Sequence, residues 1–175
     1  MADIWLISDT HFNHEKILEF TRHDTGDLVR GHLWQDVESM NEELIDNWNS
    51  VVKPNDLIYH LGDFMLGENK EEWLANNMHR LNGKKHLILG NHDNPKFLAP
   101  YFKSIQLWKM FDEAILTHLP MHPSTLQEKN RWKDGISGLN IHGHIHSNPC
   151  PKGPYRCVSV EAINFTPVNY ELVKA

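Results

Sequence analysis

Apolar residues fall along this chain in short runs that end on Gly, Asp or Asn. Ile4-Trp5-Leu6-Ile7 stops at Ser8-Asp9, Leu57-Ile58-Tyr59-His60-Leu61 at Gly62-Asp63, and His86-Leu87-Ile88-Leu89 at Gly90-Asn91. Runs of this length, rich in branched and aromatic residues, predict buried strands, each delivering a polar residue at its carboxyl end. From Asp36, which stands where an N-cap belongs, Val37, Met40, Leu44, Ile45, Trp48 and Val51 recur at helical spacing until Pro54 stops the pattern. Further helices are expected over 15–20 and 71–78, and the polar, glycine-containing stretch 21–35 reads as an insertion or loop. Strand alternating with helix predicts a largely parallel α/β core. Beyond Pro95 the pattern changes to short strands near 104–108, 114–117, 139–141, 156–160 and 168–173. The link 120–137, carrying His122, Arg131, Trp132 and Lys133, reads as a wall over a site.

Composition narrows the class. With 175 residues, 40 % of them apolar and including six Trp and seven Phe, the chain can fill one core, and a single domain over 1–175 is expected. No apolar run approaches the ~20 residues that span a bilayer, and the start lacks the basic region of a signal peptide, so a cytoplasmic protein with no membrane contact is expected. Cys150 and Cys157 read as free thiols rather than a disulfide framework. The formal charge of -6 argues against an extended nucleic-acid footprint. Bound divalent cations would make a site locally positive, so a nucleotide or a strand end stays open as substrate.

Thirteen histidines are several times ordinary usage, and most stand beside Gly, Asp or Asn, which favours metal ligation. Asp9 and His11 are two apart, as are His144 and His146, so on an extended segment each pair points to one side and can share a cation. Carboxylates mixed with imidazoles suit Mn foremost, or Fe, Ni, Zn or Co, rather than Ca or structural Mg. Glycine before Asp63, Asn91 and His144 lets the backbone turn and approach closely. Asp63, Asn91, His118 and His144 follow at intervals of 28, 27 and 26 residues, about one strand-helix-strand unit each, which would bring successive ligands to one sheet edge. Taken singly, an Asp-x-His or a lone His118 says little; the tetrad Gly90-Asn91-His92-Asp93 is rare by chance, and five elements in order are rarer.

In that order, Asp9-Thr10-His11, Gly62-Asp63, Gly90-Asn91-His92-Asp93, His118 and Gly143-His144-Ile145-His146 resemble the calcineurin-like metallophosphoesterase superfamily over residues 9–146. The strings Ser8 to Phe12 with His14, and Tyr59 to Phe64, are similar to a small subgroup found in bacteria and phages. The resemblance implies an α/β fold, a β-sandwich of two mixed sheets flanked by helices (α/β/β/α). It implies two divalent metal ions: Asp9, His11 and His146 hold the first, Asn91, His118 and His144 the second, and Asp63 bridges them. His92 would face substrate as the catalytic acid, its imidazole positioned by Asp93. The family form places Gly before the histidine matched to His118, whereas Thr117 stands here, and His122 competes for that role.

The implied activity is hydrolysis of a phosphoester, preferably a small diester such as a nucleotide or cyclic nucleotide, by in-line attack of a hydroxide bridging the metals. Two divalent cations against the carboxylates of Asp9 and Asp63 and one hydroxide leave a net charge of about +1, which an anionic diester neutralises. Rival readings are a nuclease on strand ends, a protein phosphatase, and a metal-site scaffold acting only by binding, as in retromer. The scaffold reading is disfavoured because no ligand is missing and His92 is present. His14 either meets substrate or caps the short helix. Arg22, Arg30 and Arg131 read as surface residues with phosphate contact as the alternative, His60 and His142 as packed or supporting residues, and the oligomeric state as monomer or small homo-oligomer.

Overall fold

The computed structural model describes residues 2–22, 24–111, 114–126 and 138–175. Strands β1 (Ile4–Ile7), β2 (Leu57–His60), β3 (Lys84–Ile88) and β4 (Ser104–Gln106) run parallel. A two-residue strand, Val168–Asn169, pairs antiparallel with β1 and completes a five-stranded sheet. The second sheet has four strands: β5 (Trp108–Phe111), antiparallel to β6 (Ala114–Thr117), then β7 (Leu139–His142) and β8 (Tyr155–Cys157), both parallel to it.

Alternation along the strands decides the layers. Ile7, Ile58 and Leu87 point to one face of the first sheet, where they meet Met40, Leu44, Ile45 and Trp48 of helix α1 (Val37–Val51). Leu6, Tyr59 and Ile88 point to the other, where they pack on Ala114, Leu116 and Ile141 of the second sheet. The outer face of the second sheet carries Ile115 and Tyr155 against Leu126. Two mixed sheets with flanking helices are thus observed, as the motifs implied.

The side chain of Asp36 accepts from the Ser39 amide at 2.7 Å, a cap that contributes about 1 kcal/mol to α1. The second helix, α2, runs Lys70–Asn77, with a 3-10 turn at Met78–Arg80, and Glu15–Glu19 is also 3-10. Helix α3 spans Pro95–Leu98. Three expectations change. The strand expected near 104–108 is two strands in two sheets, β4 and β5, and the chain crosses between the sheets at the exposed Leu107. The strand expected over 156–160 ends at Cys157, because Val160 donates to the Ser8 carbonyl and a 3-10 turn begins there. The strand expected over 168–173 gives way after Asn169, whose side chain caps helix α4 (Tyr170–Lys174). Among the described residues no helix is long and apolar enough to cross a membrane. Of the link 120–137, residues 127–137 and with them Arg131 lie outside the described residues.

Candidate metal centre

The polar residues that end the apolar runs meet at one place. Asp9 and His11 follow β1, Asp63 follows β2, Asn91 follows β3, His118 follows β6, and His144 and His146 follow β7. Five of them leave their strands in the left-handed region: Asp9 (φ 59), His11 (φ 48), Asp63 (φ 55), His144 (φ 70) and His146 (φ 50). Each such non-glycine residue costs roughly 1–2 kcal/mol, and strain of this kind concentrates at functional sites. Glycine supplies close approach: a Cβ on Gly143 would run into Ser8 Oγ and Asp9 Oδ2, and one on Gly90 into Asp63.

Two groups of ligand-type atoms face each other. Asp9, His11 and His146 form one and Asp63, His118 and His144 the other. In each carboxylate one oxygen is tied to protein and the other aims inward. Asp9 Oδ2 accepts from the His144 amide at 2.8 Å and from Ser159 Oγ at 2.9 Å, leaving Oδ1 3.9 Å from His146 Nε2. Asp63 Oδ1 accepts from the His92 amide at 2.9 Å. Its Oδ2 lies 3.8 Å from His11 Nε2 in the first group and 3.3 Å from His118 Nε2 in the second. Asn91, outside both trios, brings Oδ1 to 3.0 Å from His118 Nε2.

The hydrogen-bond chemistry of these atoms fits a cation. His118 Nδ1 is 2.7 Å from the Leu61 carbonyl, which can only accept, so Nδ1 carries the proton and Nε2 offers a lone pair. That lone pair faces Asn91 Oδ1, Asp63 Oδ2 and, at 3.2 Å, His144 Nδ1. Oxygen acceptors facing a lone pair need either a second proton or a cation between them. His118 is raised in pKa accordingly: burial pulls it down, but its hydrogen bond to Asp63 and the charges of Asp9 and Asp63 outweigh burial. In the first group Asp9 Oδ1 and both ring nitrogens of His11 are buried with no hydrogen-bond partner, a cost of about 1–3 kcal/mol each that metal ligation would cancel at Asp9 Oδ1 and at one of the two nitrogens. Burial raises the Asp9 carboxyl and holds the His11 imidazole well below its ordinary value. Neutral imidazole is the form that ligates.

Behind the first group lies a network that no motif indicated. Glu161 Oε1 accepts from His146 Nδ1 at 3.0 Å and from Arg30 Nε at 2.8 Å, with Arg30 Nη2 at 2.7 Å. Arg30 also donates to the Asp9 and Thr10 carbonyls at 2.6 and 2.9 Å. The surface expected for Arg30 is therefore wrong: it is fully buried, and the left-handed turn at Asp9 exposes the carbonyls that hold it. A carboxylate behind a histidine fixes the ring's tautomer and raises its basicity toward a metal.

Asp93 also differs from expectation. Its carboxylate accepts from the amides of Asp63, Gly90 and Phe64, each at 2.9 Å, so it ties the two loops of Asp63 and Asn91 together and spends both oxygens there rather than on the His92 ring. His92 itself is exposed, with its ring 5.9 Å from that of His11. His14 is buried 5.4 Å from the His11 ring and makes no side-chain cap, so of its two readings the cap is excluded. His122 is exposed and caps the turn at Pro123–Thr125 by accepting from the Ser124 amide; it does not join the ligand groups, and His118 does. Arg22 is paired with Asp24 at the surface. His60 is packed, bonded to Thr10 Oγ1 and the Gly62 amide, and burial lowers it to about 3. His142 is also buried, at 2.9 Å from the Gly143 carbonyl. Cys150 and Cys157 are free.

A family model described as calcineurin-like phosphoesterase matches residues 2–171. The chain is 35 % identical to "Uncharacterized protein MJ1445" of Methanocaldococcus jannaschii, across 99 % of this chain and 90 % of that protein. It is 27 % identical to the Gene 66 protein of Mycobacterium phage L5, across 84 % and 79 % respectively. The crystal structure of a protein of unknown function, AQ665 from Aquifex aeolicus, superposes with a TM-score of 0.70 at 26 % identity, covering 99 % of this chain and 98 % of that one.

Proposed function

The chain belongs to the calcineurin-like phosphoesterase family, and on that premise we propose that it is a dinuclear metal-dependent phosphodiesterase for small diesters such as nucleotides. The observation that carries this reading is Asp63 Oδ2, set between a lone-pair nitrogen of one ligand group and an unpartnered nitrogen of the other. When bound, two divalent cations supply the Lewis acidity that neutralises phosphate oxygens and acidifies water. Asp9, His11 and His146 would hold one, Asn91, His118 and His144 the other, with Asp63 shared; Mn leads the candidates on ligand chemistry.

The chain's own residues supply the rest. His92 stands exposed, its amide anchored on Asp63 Oδ1 and its ring 5.9 Å from that of His11, beside the first ligand group. There it would deliver a proton to the leaving oxygen, a role worth about 10²–10⁴ in rate. Asp93 would keep the Asp63 and Asn91 loops in register so that both groups share one substrate position. The test uses protein stripped of metal and reloaded with Mn, Ni, Zn or Mg, assayed on bis-p-nitrophenyl phosphate against p-nitrophenyl phosphate. Metal-dependent turnover favouring the diester and lost in His92→Ala is expected. No turnover of either ester with two metals measured in the protein would refute it.

A further inference from the structure

We propose that the cleft between the 3-10 turn at Glu15–Glu19, Val29 and the 146–148 loop is a subsite for a planar aromatic group on the ester, with the Phe20 ring as its stacking face. This rests on the phosphodiesterase reading. A diester carries a second organic arm that a monoester lacks, and that arm needs a place beside the phosphate.

The cleft holds about 360 Å³, within the range of small-ligand sites, and its walls include Ile17, Phe20, Val29, His146, Ser147 and Asn148. His146 belongs to the first ligand group and is also part of the cleft wall, so the cleft adjoins that group. Phe20 is 48 % exposed on a backbone that is tied down. Its carbonyl accepts from the Val29 amide at 2.7 Å, and the bridge between Thr21 and Leu28 braces the same segment. Its ring stands edge-on to His14, centroids 5.6 Å apart at 83°, and His14 lies 5.4 Å from His11. A row of three rings therefore runs from a candidate ligand to the cleft, with the Phe20 ring packed edge-on at its end. An oriented ring costs a stacking partner little entropy. The polar rim from Ser147 and Asn148 suits the edge of a heteroaromatic ring better than a plain hydrocarbon.

Two Mn-loaded assays test this. Turnover is compared for thymidine 5′-(p-nitrophenyl) phosphate and methyl p-nitrophenyl phosphate in the parent, Phe20→Ala and Phe20→Trp. Titration calorimetry compares thymidine 5′-phosphate with methyl phosphate in the same proteins. Stacking of one base is worth a factor of roughly 5 to 100, so the parent should favour the thymidine compounds by that much in kcat/KM and in affinity. Phe20→Ala should bring both ratios toward one, and Phe20→Trp should keep them. A parent ratio near one, or a preference that survives Phe20→Ala, overturns the subsite while the phosphodiesterase reading stands on turnover. Turnover of neither ester, with the Phe20-dependent binding preference intact, overturns the phosphodiesterase reading and leaves the subsite.

Discussion

Replacing Glu161 with Gln keeps the shape of the side chain and removes the charge on which Arg30 and His146 converge. Burial alone would raise the Glu161 carboxyl, but Arg30 and His146 outweigh it and hold it at about 2 instead of its ordinary 4.5. At 1.36 kcal/mol per tenfold, that difference corresponds to about 3 kcal/mol of folding stability at neutral pH. The same figure follows from breaking a buried ion pair, about 3–5 kcal/mol, since Arg30 is left buried against a neutral amide. For a chain of this size a loss of about 3 kcal/mol should lower the melting temperature by about 6–12 °C. The folded carboxyl lies below its unfolded value, so its contribution is complete above about 4.5 and disappears as pH falls toward 2; Glu161→Gln should flatten the stability profile in that window. His146 loses its anionic partner as well, and Mn affinity should drop by about 10- to 100-fold. Calorimetric melting in chelator reads the first effect, and competition against a chromophoric chelator reads the second. The double variant Arg30→Met/Glu161→Leu should recover part of the stability and none of the affinity. If Glu161→Gln melted within about 2 °C of the parent and bound Mn equally well, the network would have no role in holding His146.

His92→Ala should keep the metal content of the parent and lose about 10²–10⁴ in diester turnover, whereas Asp63→Asn should lose metal from both groups; elemental analysis beside the rate separates them. Asp93→Asn should cost about 1–3 kcal/mol, because an amide nitrogen then opposes a backbone N–H, and should lower metal affinity together with turnover. A purely His92-orienting Asp93 would lower turnover alone. Gly143→Ala forces a methyl onto Ser8 and Asp9, so a loss of about 1–3 kcal/mol in thermal melting and weaker Mn binding are expected; parental values in both would show that the loop yields.

What could be read in advance was what local chemistry writes locally. Helix α1 is found from its cap at Asp36 to Val51 because its apolar stripe, its cap and Pro54 all act within a few residues. The ligand types were visible because each ends an apolar strand, and parallel strands deliver their ends to one edge. Glu161 and Arg30 were not visible: they are paired across 131 residues, and a lone Glu between Val160 and Ala162 carries no spacing that marks it. Its one available signal was an acid in an otherwise apolar and small segment. The partners of Asp93 escape the sequence for a related reason: adjacency to His92 suggests contact, while the turn after Gly90 aims the carboxylate at the Gly90 amide and at two amides of the Asp63 loop.

Both ligand groups draw on both sheets. Asp9 and His11 come from the first sheet and wait for His146 from the second; Asp63 comes from the first and waits for His118 and His144. Neither sheet by itself presents a complete trio, so a nascent or half-folded chain offers a passing cation only fragments of a site. Metal selection would thereby be deferred until the sandwich has closed, when geometry rather than the nearest available ligand would decide which ion stays. An ion bound there would rivet the two layers across their shared edge, and separating them would require giving it up.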